Sequence, residues 1–423
     1  MMKSSLARLL KPSPEANIDE HNFRLVMLDA IGLGIASSAA PFINIFLVGL
    51  GASNSVIGFL ASMPALAGFM LVLFIGRFLQ KRGDVIKWAS ISVWATYSGY
   101  LFTGLLPFVL PRESLVIGIL LVWAVITIPQ TIMGVTYQAM LKGVAGENGR
   151  FELTTRRWAL LGMISAFLTT IAGQVIDLLN YPFNYQIVFM VLSLGGLISF
   201  TAVRRIRISS PTSDSRPNRQ TEIPFKQYPA IIKSNKPFSG FIAKRFVYLL
   251  GATLIGPIVS LYYIKEIQAT AGWIGIFSTT STITLIVGYF FWLRMSRKVN
   301  TRRILLLTVF MVSIWPIFLS FTKNPFLIVF FLVFVGFFQA GIDLVFFDEL
   351  MKTIPAGQAT LFISINMLFQ YFANFIGPLL GTTLADFITL RFVLIVGSSI
   401  CLTAFILFFF GSQRKKNAIP ADK

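Results

Sequence analysis

Apolar runs recur along the whole chain, and their length constrains the fold more than any other feature. A helix needs about 20 residues to cross a hydrocarbon core of roughly 30 Å. Twelve runs of suitable length lie near residues 23–49, 55–76, 87–109, 114–139, 158–179, 185–203, 240–264, 272–293, 304–321, 325–347, 359–385 and 390–410. Because a helix satisfies its own backbone hydrogen bonds in lipid, the runs predict an all-α, polytopic membrane protein with twelve transmembrane helices.

The composition supports the membrane class and argues against an enzyme. Hydrophobic residues make up 55% of the chain and charged residues only 13%, which is too apolar for a soluble globular protein. The single cysteine, Cys401, excludes both a disulfide and a cysteine-based metal site within one chain. With one histidine and neither an HExxH motif nor a nucleophile elbow, we expect no catalytic residues, no metal and no cofactor.

The stretch from Asp29 to Gly58 has a counterpart in the second half of the chain. Three polar or helix-bending positions return at an offset of 216. They are Ser37, Pro41 and Asn44 in the first half, and Thr253, Pro257 and Ser260 in the second. A repeat on this scale predicts two pseudo-symmetric six-helix bundles. Because proline removes a backbone donor, Pro41 also predicts a kink in the first span.

The net charge of +19 lies mostly on one side of the predicted membrane. If the N-terminus is cytoplasmic, the cytoplasmic segments hold 32 of the 36 Lys and Arg residues. The outward loops hold Arg112, Lys265, Lys323 and Arg391. The positive-inside rule therefore predicts cytoplasmic N- and C-termini, in a cytoplasmic membrane of the bacterial type. We interpret the charge as an orientation signal and an attraction to membrane lipids, and we expect no nucleic-acid partner.

The chain divides by composition into five predicted parts. They are an N-terminal cytoplasmic tail, 1–22; a six-helix bundle, 23–203; a cytoplasmic linker, 204–237; a second six-helix bundle, 238–411; and a C-terminal cytoplasmic tail, 412–423. The linker is rich in Ser, Pro and Arg and poor in apolar residues, which favours a disordered or irregular tether between the bundles.

The segment GRFLQKRGDVIK, 76–87, resembles a loop of the major facilitator superfamily. In that family the cytoplasmic loop between the second and third helices has Gly, three residues, Asp, Arg, any residue, Gly and then basic residues. Gly76, Arg82 and Gly83 fit this pattern or keep its charge, whereas Gln80 stands in place of the family aspartate. The resemblance implies a secondary transporter that works by alternating access, with a monomer as its minimal unit.

A second basic segment lies between the fourth and fifth spans. It runs from Gly149-Arg150 to Arg156-Arg157, and it is similar to the basic loop at this place in many members of the family. One interpretation is a cytoplasmic gate, in which Arg150 and Arg157 contact the other half of the molecule in one state. The other is orientation charge whose long side chains snorkel at a helix start.

Polar residues inside the spans are the candidates for substrate contact, because each needs a partner, water or a cavity in lipid. In the superfamily the first, fourth, seventh and tenth spans line a central cavity. The residues of this chain that the resemblance places there are Ser37, Asn44, Gln130, Gln138, Thr253, Ser260 and Gln339. The alternative for each is a hydrogen bond between helices, worth about 0.6 kcal/mol.

Three charged residues within the spans are candidates for proton coupling or for a charge switch. Asp29 and Asp343 are among the few groups there that can titrate, and Arg245 occupies the repeat position of Asp29. We therefore expect Asp29 to join a charge cluster with Arg245, Lys244 or Arg24, and a proton to be carried by Asp343 or Asp29.

The expected function is secondary active transport of a small molecule coupled to protons. The 42 phenylalanines and the scarcity of charge within the spans favour an uncharged, amphipathic or cationic substrate, as in exporters of the drug type. Two alternatives stay open at this point. One is a lipid flippase or scramblase built on the same fold, and the other is an uncoupled facilitator.

Overall fold

The computed structural model describes residues 19–82, 84–208, 232–296, 298–355 and 359–416. Twelve α-helices lie in this part of the chain: α1 Glu20–Ser37, α2 Ala40–Gly49, α3 Asn54–Arg82, α4 Val85–Leu105, α5 Arg112–Leu178, α6 Phe183–Arg204, α7 Lys236–Leu261, α8 Ala271–Ser296, α9 Thr301–Ser320, α10 Pro325–Thr353, α11 Ala359–Phe387 and α12 Leu390–Lys416. A 3-10 helix, Leu106–Phe108, and a π-helix, Tyr262–Glu266, extend α4 and α7. The predicted all-α membrane fold is confirmed.

Eleven helical stretches of the described residues are long and apolar enough to cross a membrane. The helix α4 is not among them, because hydroxyl-bearing residues lower its hydropathy. Two of these hydroxyl groups are satisfied inside the helix, since Ser92 and Thr103 are buried and donate to carbonyl oxygens one turn earlier, at 2.9 and 2.7 Å. The buried hydroxyl of Thr96 has no partner among the described residues. Such internal bonding lowers the penalty of the Ser92 and Thr103 hydroxyl groups in lipid, so α4 can still serve as a spanning helix.

The first span is two helices, and the break lies at the predicted kink. The helix α1 ends at Ser37, and α2 begins at Ala40 with Pro41 in its first turn. Between them the amides of Ser38 and Ala39 bond to carbonyl oxygens only three residues back, at 3.3 and 3.4 Å. Proline has no amide hydrogen to continue the regular pattern, which accounts for the break at this place.

The fourth and fifth spans lie in one continuous helical segment, α5, of 67 residues. Tyr137 and Arg157 are 20 residues apart in this helix, which would be about 30 Å along a straight axis. The Cζ atom of Arg157 nevertheless lies 4.7 Å from the centre of the Tyr137 ring. The chain of α5 therefore doubles back between them, so that the stretches Arg112–Tyr137 and Leu153–Leu178 are separate spans.

The helices form two compact units, and each unit includes a short segment from the other half of the sequence. Unit 1 comprises Met1–Ala52, Ala67–Gln220 and Thr270–Thr279. Unit 2 comprises Ser53–Leu66, Thr221–Ala269 and Thr280–Lys423. The first turns of α8 therefore belong to unit 1, and the first turns of α3 belong to unit 2.

Small residues let helices cross closely at matching places in the two units. A β-carbon on Gly32 of α1 would lie 2.6 Å from the carbonyl oxygen of Gly195 in α6. In unit 2, a β-carbon on Gly251 of α7 would lie 2.8 Å from the carbonyl oxygen of Gly397 in α12. Both crossings exclude larger side chains, as is common where membrane helices pack. The small residues in the middle of α1 thus serve helix packing.

Candidate functional site

Asp29 is the centre of a closed polar cluster in unit 1. Its side chain is fully buried, and its Oδ2 atom accepts a hydrogen bond from Nε of Arg157 at 3.1 Å. Its Oδ1 atom accepts from the hydroxyl of Tyr137 at 2.6 Å and from the hydroxyl of Ser199. Arg157 is itself only 4% exposed. A buried ion pair with this many hydrogen bonds holds its helices together, and removing one partner leaves a charge without compensation.

These contacts correct two sequence-based expectations. Asp29 was expected to pair with Arg245, Lys244 or Arg24, but its partner is Arg157 from the second arm of α5. Arg24 bonds instead to Glu20 on its own helix, at 2.6 Å. Arg157 was placed in a cytoplasmic loop as a gate residue, yet it lies inside the bundle. The cause is the reversal of α5, which brings Arg157 beside α1 although 128 residues separate it from Asp29.

Arg245 is the centre of a different cluster in unit 2. Its Nη1 atom donates a hydrogen bond to the side-chain oxygen of Asn366 in α11, and its Cζ atom lies 5.4 Å from the Phe346 ring centre. Its Nε atom is buried and has no hydrogen-bond acceptor among the described residues. The guanidinium is therefore held by a neutral amide and an aromatic face, and one of its donors is unsatisfied.

Asp343, on α10, supplies the carboxylate of this second cluster, and its side chain is exposed. The hydroxyl of Tyr289 donates to Oδ2 at 2.7 Å, and Nε2 of Gln339 donates to Oδ1 at 2.9 Å. Arg245 is near enough to attract the carboxylate electrostatically. Tyr289 and Gln339 orient Asp343 without neutralising it, so the carboxylate can still bind a proton, a cation or a hydroxyl group. Hereafter the "open cluster" is Arg245, Asp343, Tyr289, Gln339 and Asn366.

The other cavity candidates have varied surroundings. Thr253 donates to the carbonyl oxygens of Leu249, at 2.8 Å, and of Ala373 in α11, at 3.0 Å, so it ties two helices together. Gln130 is half-buried, and its side-chain oxygen has no donor among the described residues. Such an oxygen is available to a ligand or to water.

Three more cavity candidates, Ser37, Asn44 and Ser260, lie among the described residues. Ser37 makes long contacts, with the Gly34 carbonyl at 3.4 Å and with the Ser165 hydroxyl at 3.5 Å. Asn44 and Ser260 are half-buried and have interactions of their own. Gln138, Gly76, Arg82 and Arg150 occupy helical positions whose side chains lie outside the described structure, and Gly83 lies outside the described residues. The gate and cavity roles of these five residues stay predictions.

A carboxylate caps a helix start in unit 1. Asp177, at the end of α5, accepts from the amides of Ala271 and Gly272 at 3.0 and 2.8 Å. These amides are the unpaired donors at the start of α8, where a negative charge is also favoured by the helix dipole. Asp177 thus ties the beginning of α8 to the end of α5.

Unit 2 contains a counterpart 209 positions later in the sequence. Asp386, at the end of α11, accepts from the hydroxyl of Ser55 in the first turn of α3. Asn54 adds a bond from its side-chain amide to the Ala385 carbonyl at 3.3 Å, and it accepts from Lys265 at 2.7 Å. We call these contacts the Asp177 latch and the Asp386 latch.

Comparison with known proteins agrees with this architecture. The family model of the Major Facilitator Superfamily matches residues 241–423. The fold is similar to that of the nucleoside transporter NupG, with a TM-score of 0.67 and 13% identity over 92% of this chain and 98% of that one. No curated protein matches the sequence.

Two further solved structures have the same fold. A bacterial homologue of the iron transporter ferroportin, in its inward-facing state, has a TM-score of 0.71 and 14% identity over 92% of this chain and 98% of that one. A D-xylose-proton symporter has a TM-score of 0.69 and 13% identity over 92% and 96%. Residues 241–423 thus resemble the major facilitator superfamily in sequence. The sequence match lies in the C-terminal half and the shared fold extends over nearly the whole chain, so the predicted resemblance to the family is confirmed there, while the loop at residues 76–87 lies outside the matched residues.

The structure also has contacts that the sequence-based candidates did not include. Tyr137 and Ser199 complete the cluster around Asp29, and Tyr289 holds Asp343. From the sequence alone, a tyrosine in an apolar run that makes a polar contact cannot be distinguished from one that faces lipid. One signal in the sequence could have pointed to a role for Arg157 and Asn366. The offset of 209 that relates Asp177 to Asp386 also relates these two residues.

Proposed function

We propose that this protein is a secondary active transporter of the major facilitator superfamily that moves a small molecule by alternating access, with a proton carried by Asp343. The observation that supports the proposal is the exposed Asp343 carboxylate, oriented by Tyr289 and Gln339 and attracted by Arg245. An ionisable residue in a membrane span is energetically costly, and such residues commonly belong to a substrate path or a proton relay. Asp29 is less suitable, because its carboxylate is enclosed by three donors.

The open cluster has the chemistry for coupling. When Asp343 is ionised, its negative charge partly compensates the positive charge of Arg245. When Asp343 is protonated, that compensation is lost, and a new partner for the guanidinium or the carboxyl group becomes favourable. A bound solute can supply this partner, which links proton binding to solute binding. The substrate class that fits is a small amphipathic molecule with a positive charge or hydroxyl groups, and we propose export as the direction.

The paired latches support alternating access. Each joins the start of one helix to the end of another by a carboxylate, and each uses groups that water can satisfy when the contact opens. Such contacts are individually weak, so they can break and reform during a transport cycle. Their repetition at an offset of 209 suits a molecule in which two halves move in equivalent ways.

The test is transport by purified protein in liposomes with an imposed pH gradient. Suitable probes are ethidium as a lipophilic cation, a nucleoside, D-xylose and Fe²⁺. For a probe that the wild-type protein transports, Asp343→Asn should abolish accumulation driven by protons while solute exchange without a gradient continues. The matched control is Asp348→Asn, which alters a carboxylate on the same helix that is paired with Lys352 at 2.6 Å.

Each alternative has its own outcome in this assay. If Asp343→Asn accumulates the probe as the wild type does, Asp343 does not couple transport to protons. If the wild-type protein itself only equilibrates the probe, it is an uncoupled facilitator. Liposomes that contain a fluorescent phosphatidylcholine test for a lipid flippase or scramblase, which would move the labelled lipid and none of the soluble probes.

A further inference from the structure

Unit 1 contains a pocket that has no part in the open cluster. It has a volume of about 400 Å³ and lies between the start of α4 and the end of α6. Its lining consists of Asp84, Ile86, Lys87, Ser90, Ile91, Phe200 and Arg204. The lining combines charged groups at one end with apolar side chains at the other, and such a lining is complementary to an amphipathic ligand.

The charged end of the pocket is basic. Lys87 lies in the first turn of α4, and Arg204 is the last residue of α6, with its Cζ atom 5.8 Å from the Phe200 ring centre. The carboxylate of Asp84 accepts from the backbone amide of Lys87 at 3.1 Å, so it serves as the cap of α4. Two cations against one carboxylate leave a net positive charge, and Arg205 follows directly in the chain. An anion is therefore the complementary ligand.

The apolar side of the pocket continues along both helices. Ile91 and Trp94, one turn apart on α4, are 39% and 48% exposed. Leu197 and Leu194, one turn apart on α6, are 44% and 53% exposed. A free phosphate ion would make no use of these side chains, whereas an alkyl chain would cover them. The ligand that fits both ends has an anionic head and a long hydrocarbon tail.

We propose that this pocket binds an anionic phospholipid, with the phosphate between Lys87 and Arg204 and an acyl chain along Ile91 and Trp94. Basic pockets between transmembrane helices are known to hold anionic headgroups, and anionic lipids are concentrated in the cytoplasmic leaflet. The start of α4 and the end of α6 lie on the side that the distribution of Lys and Arg predicts to be cytoplasmic. The proposal does not depend on the transport mechanism.

The test is native mass spectrometry of the full-length protein, stripped of lipid in detergent and titrated with phosphatidylglycerol or phosphatidylcholine. The wild-type protein should bind one phosphatidylglycerol in preference to phosphatidylcholine. The double variant Lys87→Ala/Arg204→Ala should lower that preference roughly thirtyfold, because each basic residue contributes about 1 kcal/mol to binding an anionic lipid. The conservative pair Lys87→Arg/Arg204→Lys should retain it, and an excess of inorganic phosphate should not displace the lipid.

The matched control is Arg294→Ala/Lys298→Ala, which removes two exposed cations outside the pocket lining. This control should bind phosphatidylglycerol as the wild type does. The proposal is overturned if Lys87→Ala/Arg204→Ala keeps the full preference, or if the control loses as much, since binding would then follow total charge. It is also overturned if inorganic phosphate competes, because the pocket would then be a site for the free anion.

Discussion

The two units have charged residues at equivalent repeat positions, Asp29 in unit 1 and Arg245 in unit 2, but the surroundings of the two charges differ. Around Asp29 every group is buried and bonded, and a carboxylate meets a guanidinium directly. Around Arg245 the direct partner is the neutral Asn366, and the carboxylate of Asp343 is exposed. The difference is that the charge at one repeat position is enclosed and directly paired, whereas the charge at the other lies in a cluster whose carboxylate is exposed.

The largest expected effect is on the closed cluster. Asp29→Ala leaves the buried guanidinium of Arg157 without its partner, so we expect a loss of about 3–5 kcal/mol in stability. Thermal unfolding of the detergent-solubilised protein should show a large fall in Tm. The same change in unit 2, Asp343→Ala, should lower Tm far less, because Asp343 is exposed.

A double change separates charge from packing in this cluster. Asp29→Leu/Arg157→Leu should recover much of the stability lost in Asp29→Ala, since an apolar pair needs no desolvation of ions. Equal falls in Tm for Asp29→Ala and Asp343→Ala would contradict the distinction between a closed and an open cluster.

An effect of intermediate size is expected when either latch is removed. Asp177→Ala removes the acceptor for two amides of α8, and such a capping change costs about 1 kcal/mol. Hydrogen exchange measured by mass spectrometry should then become faster in the peptide that covers 270–279 and should stay unchanged in 54–66. For Asp386→Ala the pattern should be reversed. Faster exchange in both peptides for either variant would mean that the latches are not separate contacts.

A smaller effect is expected when a carboxylate is placed directly beside the guanidinium of the open cluster, as in the closed cluster. Asn366→Asp places a carboxylate beside Arg245, as Asp29 lies beside Arg157, and it should stabilise the protein by up to about 1 kcal/mol. Transport should become slower, because Arg245 would no longer depend on Asp343 for compensation. Asn366→Leu is the control, since it removes the amide without adding charge. Faster transport with Asn366→Asp would contradict the role given to Arg245.

The sequence predicted the helices better than it predicted their contacts. The apolar runs and the repeat indicated the spans because hydropathy and length are local properties, and even Pro41 marked the break between α1 and α2. The partner of Asp29 could not be found in this way, because it lies 128 residues away. Arg157 resembled a loop cation, since basic residues beside Gly149 and Arg150 are typical of a cytoplasmic turn. Only the reversal of α5 shows that it is buried.

The most direct test of the central claim compares two tyrosines. Each donates its hydroxyl to an aspartate, Tyr137 to Asp29 at 2.6 Å and Tyr289 to Asp343 at 2.7 Å. Both Tyr→Phe variants remove one hydroxyl and keep the ring, and the measurement is proton-driven transport per folded molecule in liposomes. We predict that Tyr289→Phe slows transport roughly tenfold, as expected for losing a hydrogen bond to a charged group, while Tyr137→Phe lowers Tm and leaves transport unchanged. Slower transport with Tyr137→Phe and an unchanged rate with Tyr289→Phe would contradict the account.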